Sequence, residues 1–423
     1  MKARKIFLIM FLAIMSFAEE AALNWEACVK EALANNPELK SAREKIFQAE
    51  KSMLATESNG AIQVSGSLSQ SNSFPLTGGS YSESSGYSLS GRYQLYDGEQ
   101  YSLDVLSAKE TARAAKYSYE TSSAAVRYNL KTAFLNLFKS QKLVDTTEDI
   151  RKRRKENYDM VKLNYDAGKE HKGSVLLAEA NLSQADYEAA AAKRSRELAS
   201  IKLVKQLGRK EDGFIKVSSD TEIKDTGKEK PDFKKLVENC PSYKQSLSQK
   251  IQAEYGLRSA QAAFSPQISL SASAGNSASN FAWGFPDKLS VGLGLSLQIF
   301  DGGKRTAQAD KAASSVLQAE LDLISSAFSL ETSLFNAWIT FQNAIDQAEV
   351  RKKFLDATTE RSKISEVQYS NGLIAFDNWI IIEDDLVNSK KSLLDAQINS
   401  LSAENAWLNT QGKALEEDNK TTR

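Results

Sequence analysis

Gln94-Leu95-Tyr96-Asp97-Gly98 and Gln298-Ile299-Phe300-Asp301-Gly302 are one passage written twice, 204 residues apart (298 minus 94). Each closes a stretch in which apolar and polar residues alternate, and each opens a much longer stretch of helical period. The same offset relates Pro37 to Pro241, Gln48-Ala49-Glu50 to Gln252-Ala253-Glu254, Ser65 and Ser67 to Ser269 and Ser271, and Glu179 to Glu383. It also relates Tyr165-x-x-Gly168 to Tyr369-x-x-Gly372. A register held so long without net insertion reads as a unit of about 200 residues present in duplicate.

Upstream of the passage the period is two. Ile62, Val64, Gly66 and Leu68 alternate with polar residues, then Tyr87, Leu89, Gly91, Tyr93 and Leu95. The second copy repeats this with Ile268, Leu270, Ala272 and Ala274, then Val291, Leu293, Leu295, Leu297 and Ile299. Alternation predicts strands with one apolar and one polar face, one hairpin per unit. Downstream, apolar and small residues recur every three or four positions, from Val105 to Val144 and from Ala309 to Ala348. That narrow, alanine-rich stripe predicts a coiled-coil seam on helices of about 65 residues, each roughly 100 Å long at 1.5 Å per residue. Aspartate at Asp97 and Asp301 suits a helix N-cap, and Gly98 and Gly302 permit a sharp change of direction, so strand is expected to pass into helix without a long loop.

Composition agrees with long helices and argues against chemistry. Only 6 of 423 residues are proline, against about 5% in ordinary proteins. A single histidine nearly removes the commonest general base and metal ligand. Lysine plus arginine and aspartate plus glutamate both total 54, so no basic excess points to nucleic acid. Neither a phosphate loop, nor a metal cluster, nor a set of nucleophile, base and acid can be read, so no catalytic residue, metal or cofactor is expected. Cys28 and Cys240 lack the spacing of a metal site, and sequence gives a bridge between them no positive support. His171 is expected to be an ordinary solvent-facing residue.

The expected organisation is a signal peptide over 1–18, because a basic start, an apolar run and small residues precede Glu19. A first repeat follows over 19–206, with a β-hairpin at about 61–96 and a helical hairpin at about 99–206. A linker or equatorial segment occupies 207–232. The second repeat spans 233–410, with a β-hairpin at about 266–300 and a helical hairpin at about 303–410, before a mobile tail over 411–423. The fold class is α+β, mainly α. Four strands cannot close a barrel, since the smallest need about eight. Two chains would supply eight strands and three would supply twelve; a soluble four-stranded sheet packed on helices is the alternative.

Several passages resemble the TolC-like outer-membrane factor family, the trimeric exit ducts of bacterial efflux pumps and type I secretion systems. They are Leu23-Asn24-Trp25-Glu26-Ala27 leading to Asn35-Asn36-Pro37, Phe264-Ser265-Pro266-Gln267-Ile268-Ser269-Leu270, Leu297 to Gly303, and the two Tyr-x-x-Gly turns. The resemblance implies a homotrimer with a twelve-stranded barrel in outer-membrane lipid and a helical tunnel in the periplasm of a diderm bacterium. It also implies partnership with a periplasmic adaptor (membrane fusion) protein and an inner-membrane pump. On this resemblance Tyr165, Gly168, Tyr369 and Gly372 become adaptor-docking tip residues, against the plain reading of the glycines as helix caps. Asn378 and Ile381 stand where some relatives carry acidic gate rings, and Asp377 lies beside them. Glu383, Asp384 and Asp385 are further acidic candidates. The tips differ in charge: 139–172 holds ten basic and seven acidic residues, whereas 343–385 holds five basic and nine acidic. The run Arg151-Lys152-Arg153-Arg154-Lys155 reads as a solvated face or as salt-bridge partners of a neighbouring hairpin. A periplasmic coiled-coil scaffold without a pore is the other function the sequence allows.

Overall fold

The computed structural model describes residues 22–210, 214–218, 229–278 and 285–420. The expected signal peptide, 1–18, lies outside the described residues. Elements run α1 (Trp25–Asn35), α2 (Pro37–Ser58), β1 (Gln63–Ser73), β2 (Ser82–Tyr96), α3 (Gln100–Asp166) and α4 (Lys172–Leu207). They continue with α5 (Phe233–Asn239), α6 (Pro241–Ala262), β3 (Gln267–Ala278), β4 (Lys288–Ser296), α7 (Lys304–Ser370), α8 (Phe376–Thr410) and α9 (Leu415–Lys420). Both long helices have 67 residues, about 100 Å at the α-helical rise. The duplication is structural as well as sequential, since α3 and α7 start and end at the same offset (304 minus 100 and 370 minus 166, both 204).

Local chemistry accounts for the helix boundaries. Pro37 and Pro241 stand at the first position of α2 and α6, where a missing N–H costs nothing, and the Asn36 side chain accepts from Glu38 N and Leu39 N. At the strand-to-helix junctions the N-cap residues are Glu99 and Gly303, both left-handed at φ 71° and 88°. The aspartates therefore act from two residues further back than a cap would. Asp97 accepts from Tyr101 N at 2.8 Å, and Asp301 accepts from Gly303 N, Arg305 N and Arg305 Nε. Gly98 and Gly302 are also left-handed, and a side chain at 98 would collide with Ser265 and Ala262 O.

The seam is as patterned. Along α7 every third or fourth residue from Ala309 to Ala348 is buried or half-buried, with Leu334, Phe341 and Ala348 fully so. On α3 the stripe is deeper, with Val126, Leu130, Phe134 and Leu137 in the main core beside Cys28 and Val29 of α1 and Leu203 of α4. The described part of the inter-repeat segment joins that core: Ile215 and Val217 are buried, and Leu23 N donates to Lys216 O in a short parallel bridge. Cys28 and Cys240 are both free and buried, so no bridge joins them. Burial, with the charge of Glu31, pushes the Cys28 thiol up to about 11.

The strands form one antiparallel sheet in the order β1-β2-β3-β4, so the two hairpins join through β2 and β3. Among the described residues no helix packs across it, and Leu68, Leu289, Val291, Leu293 and Leu295 are exposed on one face. A sheet packed on helices is therefore not what forms. Two expectations need correction. β4 ends at Ser296 rather than near 300, because its partner β3 begins at Gln267, opposite Ser296, leaving nothing within the chain for 297–300 to pair with. The tail is not loose as far as it is described: Leu415 is fully buried, Glu416 accepts from Tyr119 and Ser123 of α3, and Asp418 accepts from Arg127 and Trp25. Among the described residues no helix is long and apolar enough to cross a membrane.

Candidate functional site

The two helical hairpins end side by side in turns of the same backbone design. In the first, Gly168 N bonds Tyr165 O at 2.9 Å and Lys169 N bonds Asn164 O at 2.8 Å. In the second, Gly372 N bonds Tyr369 O at 2.9 Å and Leu373 N bonds Gln368 O at 2.8 Å. Both glycines have φ 71° with nothing within 4 Å of where a Cβ would stand. These are left-handed helix terminations whose glycines are demanded by backbone conformation and not by crowding.

The side chains around these turns are unequal. Tyr165 is 41% exposed, whereas Tyr369 is 5% exposed. Tyr369 stacks on Trp379 with ring centroids 4.4 Å apart and planes 7° from parallel, and Phe376 meets both rings edge-on. Its hydroxyl donates to Glu170 Oε2 at 3.1 Å, tying the second tip to the first. Desolvation, with the nearby Glu170 carboxylate, pushes the Tyr369 phenol up to about 12. Glu170 also accepts from Ser174 Oγ, and His171, though exposed, is the N-cap of α4, its Nδ1 accepting from Ser174 N at 3.3 Å. Between the tips lies a groove of about 550 Å³ lined by Lys169, Glu170, His171, Tyr369 and Asp377, among others.

Behind the tips the basic run of α3 meets the acidic run of α8. Arg153 donates to both Glu383 oxygens, at 2.5 and 2.9 Å, and to Ser362 Oγ at 2.7 Å. Arg154 pairs with Asp384 of α8, and Arg361 of α7 with Asp385. Arg151 pairs with Glu148 and Asp186, and Lys155 with Asp159. Burial opposes ionisation of Glu383, but hydrogen bonds from Arg153 and Ser362 and the Arg153 charge outweigh it, holding its carboxyl below the usual range. Four of the five basic residues thus pair with acids, Arg153 and Arg154 with those of the other hairpin as the salt-bridge reading expects, while Lys152 stays exposed. Glu383 and Asp384 are likewise engaged, while Asp377, Asn378 and Ile381 share the exposed face of the first turns of α8. Sequence reading missed Glu170 as a cross-tip contact; an acid just ahead of a helix start was visible, but nothing local named its partner.

The remaining functional geometry is the sheet-to-helix junction, where Asp97 and Gly98 carry β2 into α3 within three residues, 97–99, and Asp301 and Gly302 lie in the seven residues, 297–303, that link β4 to α7. Arg305 braces the second junction, bonding Asp301 Oδ2 at 2.8 Å and the Gln298 carbonyl at 2.6 Å. No group of residues fit to hold a metal occurs among those described.

A family model described as outer membrane efflux protein matches residues 28–209 and 234–419. No curated protein matches the chain. Among solved structures, the open-state MtrE outer membrane channel of Neisseria gonorrhoeae is 20% identical, with TM-score 0.81, covering 93% of this chain and 90% of its own. The outer membrane protein VceC of Vibrio cholerae is 18% identical, with TM-score 0.77 and coverages of 92% and 96%. The CmeC outer membrane channel of Campylobacter jejuni is also 18% identical, with TM-score 0.76 and coverages of 93% and 87%. At such identity the likeness is one of fold.

Proposed function

The chain belongs to the outer membrane efflux protein family, and on that premise we propose that it is the passive outer-membrane duct of a tripartite efflux pump or type I secretion system. Three copies would close a twelve-stranded barrel in the outer membrane above a helical tunnel in the periplasm. The observation that carries this is the bare sheet: among the described residues nothing packs on its apolar face and its edge strands β1 and β4 have no outer neighbour, while β2 and β4 lead through short connections into helices of tunnel length. The helices support the same closure. α6 packs on α3, but among the described residues α2 makes no comparable contact with α7, and Leu317, Leu321, Ile324 and Phe328 of α7 stay exposed, as do Phe47 and Leu54 of α2. A head-to-tail ring would bring α2 of each copy to α7 of the next and pair β4 with β1.

Reconstitution in planar bilayers tests the reading. The full chain is expected in the outer-membrane fraction as a trimer that opens long-lived conductances. A periplasmic oligomer that never conducts would overturn the duct in favour of a scaffold.

The tips are proposed to receive the hairpin of a periplasmic adaptor linked to an inner-membrane pump, with Tyr165, Gly168, Tyr369 and Gly372 at the contact and Asp377, Asn378 and Ile381 at the entrance. Asparagine tolerates the left-handed conformation, so Gly168→Asn with Gly372→Asn keeps the turn and adds a side chain to its open face. Export is expected to fall while trimer and surface level persist. Unchanged export would leave the glycines as caps alone.

A further inference from the structure

Strand alternation sorts the sheet's side chains onto two faces, and the register carries that sorting across all four strands. Val64, Leu68, Leu89, Leu270, Val291 and Leu293 lie on one. The other face runs in rows: Gln63, Arg92, Ser271 and Gly292; then Ser65, Ser90, Ser273 and Ser290; then Ser67, Ser88, Gly275 and Lys288. Beyond these rows it carries only serine, glycine and glutamine. Arg92 and Lys288 are thus the charged strand residues of this face among those described, and both are exposed. Glu83 stands on the apolar face, held by Gln70 and Tyr81 near the hairpin end, and Asp287 precedes β4. The serines offset nothing electrically: Ser65 bonds Ser90 at 2.9 Å and Ser67 bonds Ser88 at 2.8 Å.

We propose that the polar wall of the sheet favours anionic over cationic solutes through Arg92 and Lys288. This rests on the duct reading, in which the apolar face meets lipid and the polar face lines the lumen. A wall of serine, glycine and glutamine is neutral, so the arginine and lysine are the side chains that give it a charge. Repeated in each copy, they make two rings of one sign, and a lumen charged with one sign concentrates counter-ions. The duplication does not enforce this: the position of Arg92 is held by Ser296 in the second repeat, and that of Lys288 by Ser84 in the first. The field reaches across a lumen only where screening is weak, with a Debye length of about 30 Å at 0.01 M salt and about 3 Å at 1 M.

The test compares chloride-to-potassium permeability ratios, from reversal potentials in potassium chloride gradients, for the full chain, for Arg92→Gln with Lys288→Gln, and for Arg92→Glu with Lys288→Glu. Near 0.01 M the ratio is expected to fall about two-fold at each step, and near 1 M the three should converge. Lys288→Gln alone should give part of the first step, which keeps the test open where a double variant fails to form trimers. Conducting proteins with equal ratios at low salt would overturn the charge inference alone. A wild-type protein that never conducts would overturn the duct reading and this inference with it.

Discussion

Arg153 of α3 closes on Glu383 of α8 by two parallel bonds, Nε to Oε2 at 2.5 Å and Nη2 to Oε1 at 2.9 Å, although 230 residues separate them in the chain. Ser362 of α7 donates to the same carboxylate at 2.6 Å, so one buried acid holds three helices together. Replacing Glu383→Gln takes the bidentate partner from Arg153, which is partly exposed and keeps only Glu366, at 3.2 Å, as an acidic partner. The expected cost is about 3 kcal/mol, the lower end for breaking a buried pair, measured by denaturant unfolding. A double-mutant cycle with Arg153→Gln should give a clear coupling energy; strict additivity would mean the pair is idle.

The same pair sets an acid dependence. The folded Glu383 carboxyl is held below its usual range, so the unfolded chain binds that proton more readily. Its stabilisation is therefore complete above the ordinary glutamate range and disappears as pH falls through the folded value. The melting-temperature gap between wild type and Glu383→Gln should hold from neutral pH down to the ordinary glutamate range and narrow below it. A constant gap would show that the carboxylate's ionisation does not matter.

Tyr369 and Tyr165 occupy matching turns, yet their substitutions should differ sharply. Tyr369→Ala removes a stacked, buried ring and is expected to cost about 3–5 kcal/mol, and Tyr369→Phe about 1 kcal/mol for the Glu170 bond. Tyr165→Ala should stay within about 0.5 kcal/mol, the ordinary range for surface positions. The raised Tyr369 phenol adds stability below the unfolded tyrosine value that is lost as pH climbs toward about 12. Thermal melts of the three variants, with an alkaline series on wild type, decide the matter.

Glu99 takes a left-handed conformation where the second repeat has Gly303. Glu99→Gly is expected to stabilise by about 1 kcal/mol through relief of that strain. Gly98→Ala should be destabilising beyond its own backbone strain, because its Cβ would lie 2.4 Å from Ser265 Cβ. Equal melting temperatures for wild type and both variants would refute the junction account.

The tail makes a further test. Leu415 is fully buried, so Leu415→Ala should cost about 2–5 kcal/mol. A cost near zero in unfolding experiments would restore the mobile tail expected from sequence.

What the sequence by itself determined is everything that depends on near neighbours: the duplication, the order of strands and helices, the seam residues, and the glycine-ended turns. Alternation, three-to-four spacing, and proline and glycine punctuation act over a few residues, so they can be read without a fold. Even there the reading erred where a partner was required, since alternation continues to Ile299 but β4 stops when β3 runs out of residues to pair with it.

Only the tertiary structure decided which of two nearly equivalent copies does what. α3 is surrounded by α2, α4, α6 and α8, while α7 packs mainly on α5, α6 and α8. Matching residues therefore meet different neighbours: Tyr369 is stacked and bonded where Tyr165 is open, and α3 buries charged Arg127 against Asp418 of the returning tail. Burial and ion pairing are set by what arrives from distant parts of the chain, and no local pattern carries that information.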